Sequence, residues 1–115
     1  MPNFEVWDIV KVPFPYTDRP VRQRRPALVL AAGDLEAEHG LLWVLMITSA
    51  ENRRWPEDVV VSDETAAGLP APSLVRCAKV ATIEARDAEQ IGTLSVAGRK
   101  AVAARFGSLI AGALV

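Results

Sequence analysis

Seven consecutive apolar residues, Leu41-Leu42-Trp43-Val44-Leu45-Met46-Ile47, constrain this chain more than any other feature. The run does not alternate with polar residues, so it reads as a strand covered on both faces rather than a half-solvated one. It is no membrane span: even residues 40–49 together are about half of the ~20 apolar residues a helix needs to cross a bilayer.

Further strands are read on either side of it. Residues 6–12 form one, after which Pro13-Phe14-Pro15-Tyr16 forces an extended path and Thr17-Asp18-Arg19-Pro20 a loop. An arginine-rich connection then leads to Arg24-Arg25-Pro26-Ala27-Leu28-Val29-Leu30. Leu28 to Leu30, flanked by small alanines and ended by Gly33-Asp34, reads as a central strand entered through a proline. Pro26 has no N–H and suits only a strand start, which predicts Arg25 just outside the ladder, at the rim of the sheet. Residues 34–40 are either a helical turn or a loose connection. Residues 50–56 make a second charged loop, and 58–62 a β-branched strand. Residues 64–67 form a helical turn closed by Gly68, 73–83 a long bent strand and 91–94 a last short one. Ser95 is a good helix N-cap, and Val102, Phe106, Leu109, Ile110 and Ala113 recur beyond it at helical spacing. Many short strands, closely spaced loops and one terminal amphipathic helix predict a mainly β chain with some α: a small curled β-barrel with a helix packed on it.

At 115 residues, half of them hydrophobic, the chain has the size and core of one domain over 1–115. Its start carries no basic region followed by an apolar one, and its one cysteine, Cys77, has no internal partner. Both features predict a cytoplasmic protein without disulfides. A net charge of −1 excludes nucleic-acid binding by bulk electrostatics. The distribution says more. Arg19, Arg22, Arg24 and Arg25 fall within seven residues, Arg53 and Arg54 lie on a second loop, and Arg76 and Lys79 on a third segment. If these segments meet, a positive groove forms on a neutral protein.

Five ordered blocks now stand out. They are Asp8-Ile9-Val10-Lys11-Val12-Pro13-Phe14-Pro15-Tyr16-Thr17-Asp18, Arg25-Pro26-Ala27-Leu28-Val29-Leu30, Ile47-Thr48-Ser49, Trp55-Pro56-Glu57-Asp58-Val59 and Val75-Arg76-Cys77-Ala78-Lys79. Over roughly residues 4–94 this order resembles the MazF/PemK-type toxins of type II toxin–antitoxin systems. The resemblance implies an SH3-like barrel, a homodimer and a metal-independent endoribonuclease, an mRNA interferase. Such an enzyme cuts single-stranded mRNA at short sequences, needs no cofactor and is silenced by a cognate antitoxin. Arg25 matches the family's catalytic arginine, Thr48 its catalytic threonine and Arg76 an arginine lining the same groove. Two positions depart. Trp7 stands where the family usually has glycine before Asp8, and Ala78 where some members carry an aspartate, which leaves the general base open.

Cutting RNA without metal requires the ribose 2′-hydroxyl to attack the adjacent phosphate, with groups to take its proton, stabilise the phosphorane and protonate the leaving oxygen. Arginine suits the second task, because its planar fork binds two phosphate oxygens and stays charged. The hydroxyl of Thr48 binds phosphate or orients the nucleophile; its pKa is too high for a base. Asp18, Glu51 and Glu57 are the candidate bases. Arg22, Arg24, Ser49, Arg53, Arg54, Trp55 and Arg76 are the candidate RNA contacts, with Trp55 either stacking on a base or plugging its loop. Cys77 reads as a core residue and His39 as a surface one; one histidine per chain excludes a two-histidine mechanism within it. No zinc-ligand spacing is present. Two other classes share the barrel: a toxin that binds DNA gyrase and cuts nothing, and an inactive RNA-binding member. Arg25 together with Thr48 discriminates, since a gyrase binder needs neither and an RNA binder does not need the hydroxyl.

Overall fold

The computed structural model describes residues 3–13 and 24–113. The expectations for residues 14–23, including Asp18 and Arg22 as site residues, lie outside the described residues. Among the described residues six strands appear in chain order: β1 (Asp8–Pro13), β2 (Arg24–Ala31), β3 (Leu41–Ser49), β4 (Asp58–Val60), β5 (Ser73–Glu84) and β6 (Glu89–Thr93). A short helix α1 (Asp34–His39) joins β2 to β3, a single turn α2 (Glu64–Ala67) precedes β5, and α3 (Val96–Ala113) follows β6. The strands form one antiparallel sheet in the order β4-β5-β3-β2-β1-β6. The fold is barrel-like but does not close: β4 and β6 are the ends of the sheet. No helix among the described residues is long and apolar enough to cross a membrane.

β3 lies at the centre because its side chains supply both cores. Leu45 and Ile47 join Ile9, Leu28, Val75 and Cys77 under the helices, whereas Val44 and Met46 join Val10, Val12, Ala27 and Val29 on the other face. Alternate residues of a strand point to opposite faces, so an apolar run is what a doubly covered strand requires. Trp43 departs from that expectation, with 47% of its surface exposed. β5 bends as expected. Its register against β3 jumps from Leu45↔Val80 to Met46↔Arg76, so residues 77–79 take up the irregularity. Cys77 points into the core there, and burial pushes its thiol up to about 11.

One expectation needs correction. β2 begins at Arg24, and Arg25 sits within the ladder, opposite Val12. Pro26 is tolerated inside the strand because pairing with β3 begins only at Ala27↔Met46, so at Pro26 the strand is bonded on the β1 side alone.

α3 starts as its sequence dictates, the Gly98 amide donating to the Ser95 hydroxyl at 3.2 Å. Val102 is fully buried and Phe106 and Leu109 pack on the core, but Ile110 is 44% exposed, so the apolar stripe outruns the surface it covers. At the other end of the sheet α2 meets β6 backbone to backbone. Gly68, the left-handed cap of α2 (φ 72°), and Gly92 of β6 allow this approach: a Cβ on either would overlap the opposing carbonyl of Ile91 or Ala67. That contact anchors the segment running into β5, which walls the site described next.

Candidate functional site

Cross-strand partners share a face, so the sheet register shows which side chains meet. Val10, Ala27, Met46, Arg76 and Asp58 form one row across five strands. One row along, Val12 pairs with Arg25 and Thr48 with Leu74, and the β2–β3 register carried two residues further sets Arg25 against Thr48. Arg25, Thr48 and Arg76 therefore leave the same face at the same end of the sheet. Arg25 and Thr48 line a cleft of about 250 Å³ with Lys11, Ser49 and Ser73. Apolar walls from Pro26, Ile47, Leu69, Pro70, Pro72 and Ile91 complete it. The side chains of Lys11, Pro26 and Ile47 leave the opposite face from those of Arg25 and Thr48, so the cleft opens at the strand ends beside that pair, over apolar walls.

The loop after β3 is tied down at both ends. The Ala50 amide donates to the Pro72 carbonyl at 2.9 Å, the Asn52 amide to the Ser49 carbonyl at 3.1 Å, and the Glu51 amide to the Ser49 hydroxyl at 3.2 Å. Further on, the Trp55 amide donates to Asp58 Oδ2 at 2.8 Å while the Asp58 amide donates back to the Trp55 carbonyl at 3.0 Å. Arg76 clamps this second end. Its Nη2 donates to the Arg53 carbonyl at 2.6 Å and lies 3.7 Å from Asp58 Oδ2, and its guanidinium carbon stands 4.0 Å from the Trp55 ring centre. The Asp58 side chain is wholly buried and that of Arg76 only 12% exposed, so each charge depends on the other. Between the two ends, Asn52 Nδ2 donates to Thr48 Oγ1 at 2.6 Å.

The structure brings some sequence-predicted residues together and separates others. Arg25, Thr48 and Ser49 share the cleft. Arg53, Arg54 and Glu51 are exposed on the adjoining loop, and Glu57 is half-buried beside Asp58. Trp55 packs against the Arg76 guanidinium within its own loop. Arg24 points elsewhere: it donates to the carbonyls of Lys11 and Asp87 at 3.2 and 3.5 Å and pairs with Glu89 at 3.6 Å. His39 is exposed at the end of α1. Sequence reasoning missed Lys11, Asn52 and Asp58 as neighbours of the site. Asp58 belongs to the ordered block 55–59, but its acceptance of the Trp55 amide three residues back is a property of the folded loop. Among the described residues no group of three or more His, Cys, Asp or Glu side chains stands where it could hold a metal ion.

Trp7 is the one non-glycine residue with positive φ, 81°, among those described. It occupies the position where the resembled family usually has glycine. Its amide donates to the Val29 carbonyl and its carbonyl accepts from the Leu94 amide, both at 3.0 Å, so the strained residue bridges β2 and the segment before α3.

An open antiparallel sheet with a C-terminal helix, an arginine and a threonine on one face of two adjacent central strands, and an apolar cleft beside them describe a class of small single-sheet proteins. The chain belongs to the PemK-like, MazF-like toxin family of type II toxin–antitoxin systems, whose model matches residues 5–110. No curated protein matches it by sequence. Among solved structures it is similar to MazF from Deinococcus radiodurans, at 23% identity and a TM-score of 0.77 over 96% of this chain and 99% of that one. It is also similar to the Mycobacterium tuberculosis toxin MazF-mt6, at 25% identity and 0.70 over 90% and 95%. An endoribonuclease in complex with its cognate antitoxin from a mycobacterial species shares the fold at 12% identity and 0.70 over 92% and 93%.

Proposed function

We propose that this toxin is a sequence-specific, metal-independent endoribonuclease acting on single-stranded mRNA in the cytoplasm. The observation that carries the reading is the placement of Arg25 and Thr48 on one face of adjacent strands, at the same end of the sheet. In this reading the Arg25 guanidinium binds two oxygens of the scissile phosphate and stabilises the phosphorane. Thr48 donates its hydroxyl proton to the same phosphate. The 2′-hydroxyl of the preceding ribose attacks phosphorus, gaining from enforced proximity, and the bond to the 5′-oxygen of the next nucleotide breaks. A carboxylate takes the 2′ proton, with Glu51, Glu57 and Asp18 as its candidates, and the departing 5′-oxygen takes a proton from solvent water to leave as a 5′-hydroxyl. Ser49, Arg53 and Arg54, with Arg22 of the other basic segment, track the RNA backbone, while Arg76 and Trp55 serve it through the loop they hold and Arg24, engaged with Glu89, takes no part. The reading requires neither cofactor nor metal.

A cognate antitoxin completes the proposal, consistent with the family and with the antitoxin-bound mycobacterial relative. A flexible acidic segment that folds onto Arg25, Arg53 and Arg54 would block RNA by occupying its charges.

Incubation of the purified protein with a long RNA in excess chelator, followed by mapping of the ends, tests the chemistry. The expected products are a 2′,3′-cyclic phosphate and a 5′-hydroxyl, and a 2′-deoxyribose 5′ to one scissile phosphate should stop cutting there alone. Arg25→Ala should lower the rate on the order of 10²–10³-fold, as removal of one preorganised oxyanion donor does. Ends bearing a 3′-hydroxyl and a 5′-phosphate, or loss of cleavage in chelator, would contradict the mechanism.

A further inference from the structure

The hydroxyl that the reaction uses has a partner nothing above assigns a role. A threonine hydroxyl carries one proton and two lone pairs and rotates to suit its surroundings. The amide of Asn52 reaches Thr48 Oγ1 at 2.6 Å as a donor, so it occupies a lone pair and the hydroxyl proton must point elsewhere. Thr48 leaves the same sheet face as Arg25 at the same end, so a substrate phosphate held by Arg25 is an acceptor for that proton.

We propose that Asn52 is a positioning residue, one that holds the Thr48 hydroxyl as a donor toward the scissile phosphate. The inference rests on the endoribonuclease reading and deepens it. What makes Asn52 suited to the task is the rigidity of its surroundings. On its N-terminal side the turn is closed onto Ser49 and Pro72, and on its C-terminal side by the Asp58–Arg76–Trp55 clamp. A side chain on an exposed loop ordinarily samples several rotamers, and aiming it would cost entropy at each encounter. Here the backbone on both sides is fixed before substrate arrives, which is how a supporting residue holds a reacting group within useful tolerance. The clamp then has a purpose beyond folding: it transmits the register of β4 and β5 to the side chain that orients Thr48.

The test is single-turnover cleavage, with protein in excess, of a short RNA containing one mapped cut site. Affinity is measured in parallel for the same RNA carrying a 2′-deoxyribose at that site. Asn52 is exposed and belongs to no core, so its variants are expected to fold. Asn52→Ala should slow cleavage roughly tenfold, the loss expected for one hydrogen bond's worth of preorganisation, while affinity stays within about twofold. Asn52→Asp should slow it at least as much, because a carboxylate offers only acceptors and would draw the Thr48 proton away from the phosphate. A merely structural Asn52 would not rank the two this way. Wild-type rates in Asn52→Ala, a parallel fall of rate and affinity, or faster cleavage by Asn52→Asp than by Asn52→Ala would overturn the proposal. Failure of the underlying reading looks different: the wild-type protein cuts no RNA, or Arg25→Ala cuts as fast as the wild type, and the inference falls with it.

Discussion

Trp7 shows how a single backbone angle can be separated from the side chain that hides it. Its φ of 81° lies in the left-handed region, where a Cβ crowds the following carbonyl and costs roughly 1–2 kcal/mol. Its indole meanwhile packs against the helix-side core, so replacing it changes two things at once. Trp7→Gly and Trp7→Ala both remove the indole, and they differ only in whether a Cβ remains. Trp7→Gly should therefore be the more stable of the pair by about 1 kcal/mol, reversing the usual order of alanine over glycine. Urea denaturation of both variants measures this directly, and Ala at or above Gly would mean that the strain is relieved in solution. The position was legible only through the resemblance, as a missing glycine. Arg25 and Thr48, whose nearness on one sheet face came only with the register, were likewise singled out by the resemblance, each at a fixed place in an ordered block. Asn52 was not, because a hydrogen bond that folds back from a loop to a strand end leaves no periodic trace in sequence.

Between residues and fold stand the elements, and here the β4–β5 pairing does more than complete the sheet. It sets Asp58 opposite Arg76, and the pair is almost sealed from water. Removing one member of such a pair leaves the other charge buried and uncompensated, at a cost of about 3–5 kcal/mol, while neutralising both is far cheaper. Arg76→Gln should accordingly be several kcal/mol less stable than the wild type. The double variant Asp58→Asn/Arg76→Gln should recover most of that loss, since asparagine keeps an acceptor for the Trp55 amide. Denaturant midpoints of the two variants and of Asp58→Asn form the required cycle, and additive losses would show that the charges are independently solvated. The strands themselves were readable because each short apolar or β-branched run is bounded by turn residues. Their registers were not. Arg25 entered the ladder because β3 pairs with β2 only from Ala27 onward, a fact about a neighbour that no local pattern around Pro26 contains. The stripe on α3 was read correctly through Leu109, but whether Ile110 is covered depends on where the sheet beneath it stops.

At the scale of the whole molecule, the hydrophobic residues that the two cores do not use are informative. Trp43 and Val80 are each 47% exposed. Trp43 follows the parity of Leu45 on β3, and Val80 is the cross-strand partner of Leu45, so both stand on the sheet face that carries the helix-side core. A half-exposed tryptophan beside a half-exposed valine is the kind of aromatic anchor that concentrates binding energy at protein interfaces. The expected homodimer supplies a use for it: a self-complementary contact about a two-fold axis would bring the same patch from each subunit together. Placing a charge there should then be far more damaging to assembly than to folding, because the patch is solvated in the isolated chain. Trp43→Lys should sediment as a monomer at micromolar concentration while unfolding within about 1 kcal/mol of the wild type, as exposed substitutions generally do. A wild-type chain that sediments as a monomer would overturn the expectation of a homodimer. A Trp43→Lys variant that remains dimeric would move the interface to another face, where Ile110 and Val96 of α3 are the next exposed apolar side chains to be replaced.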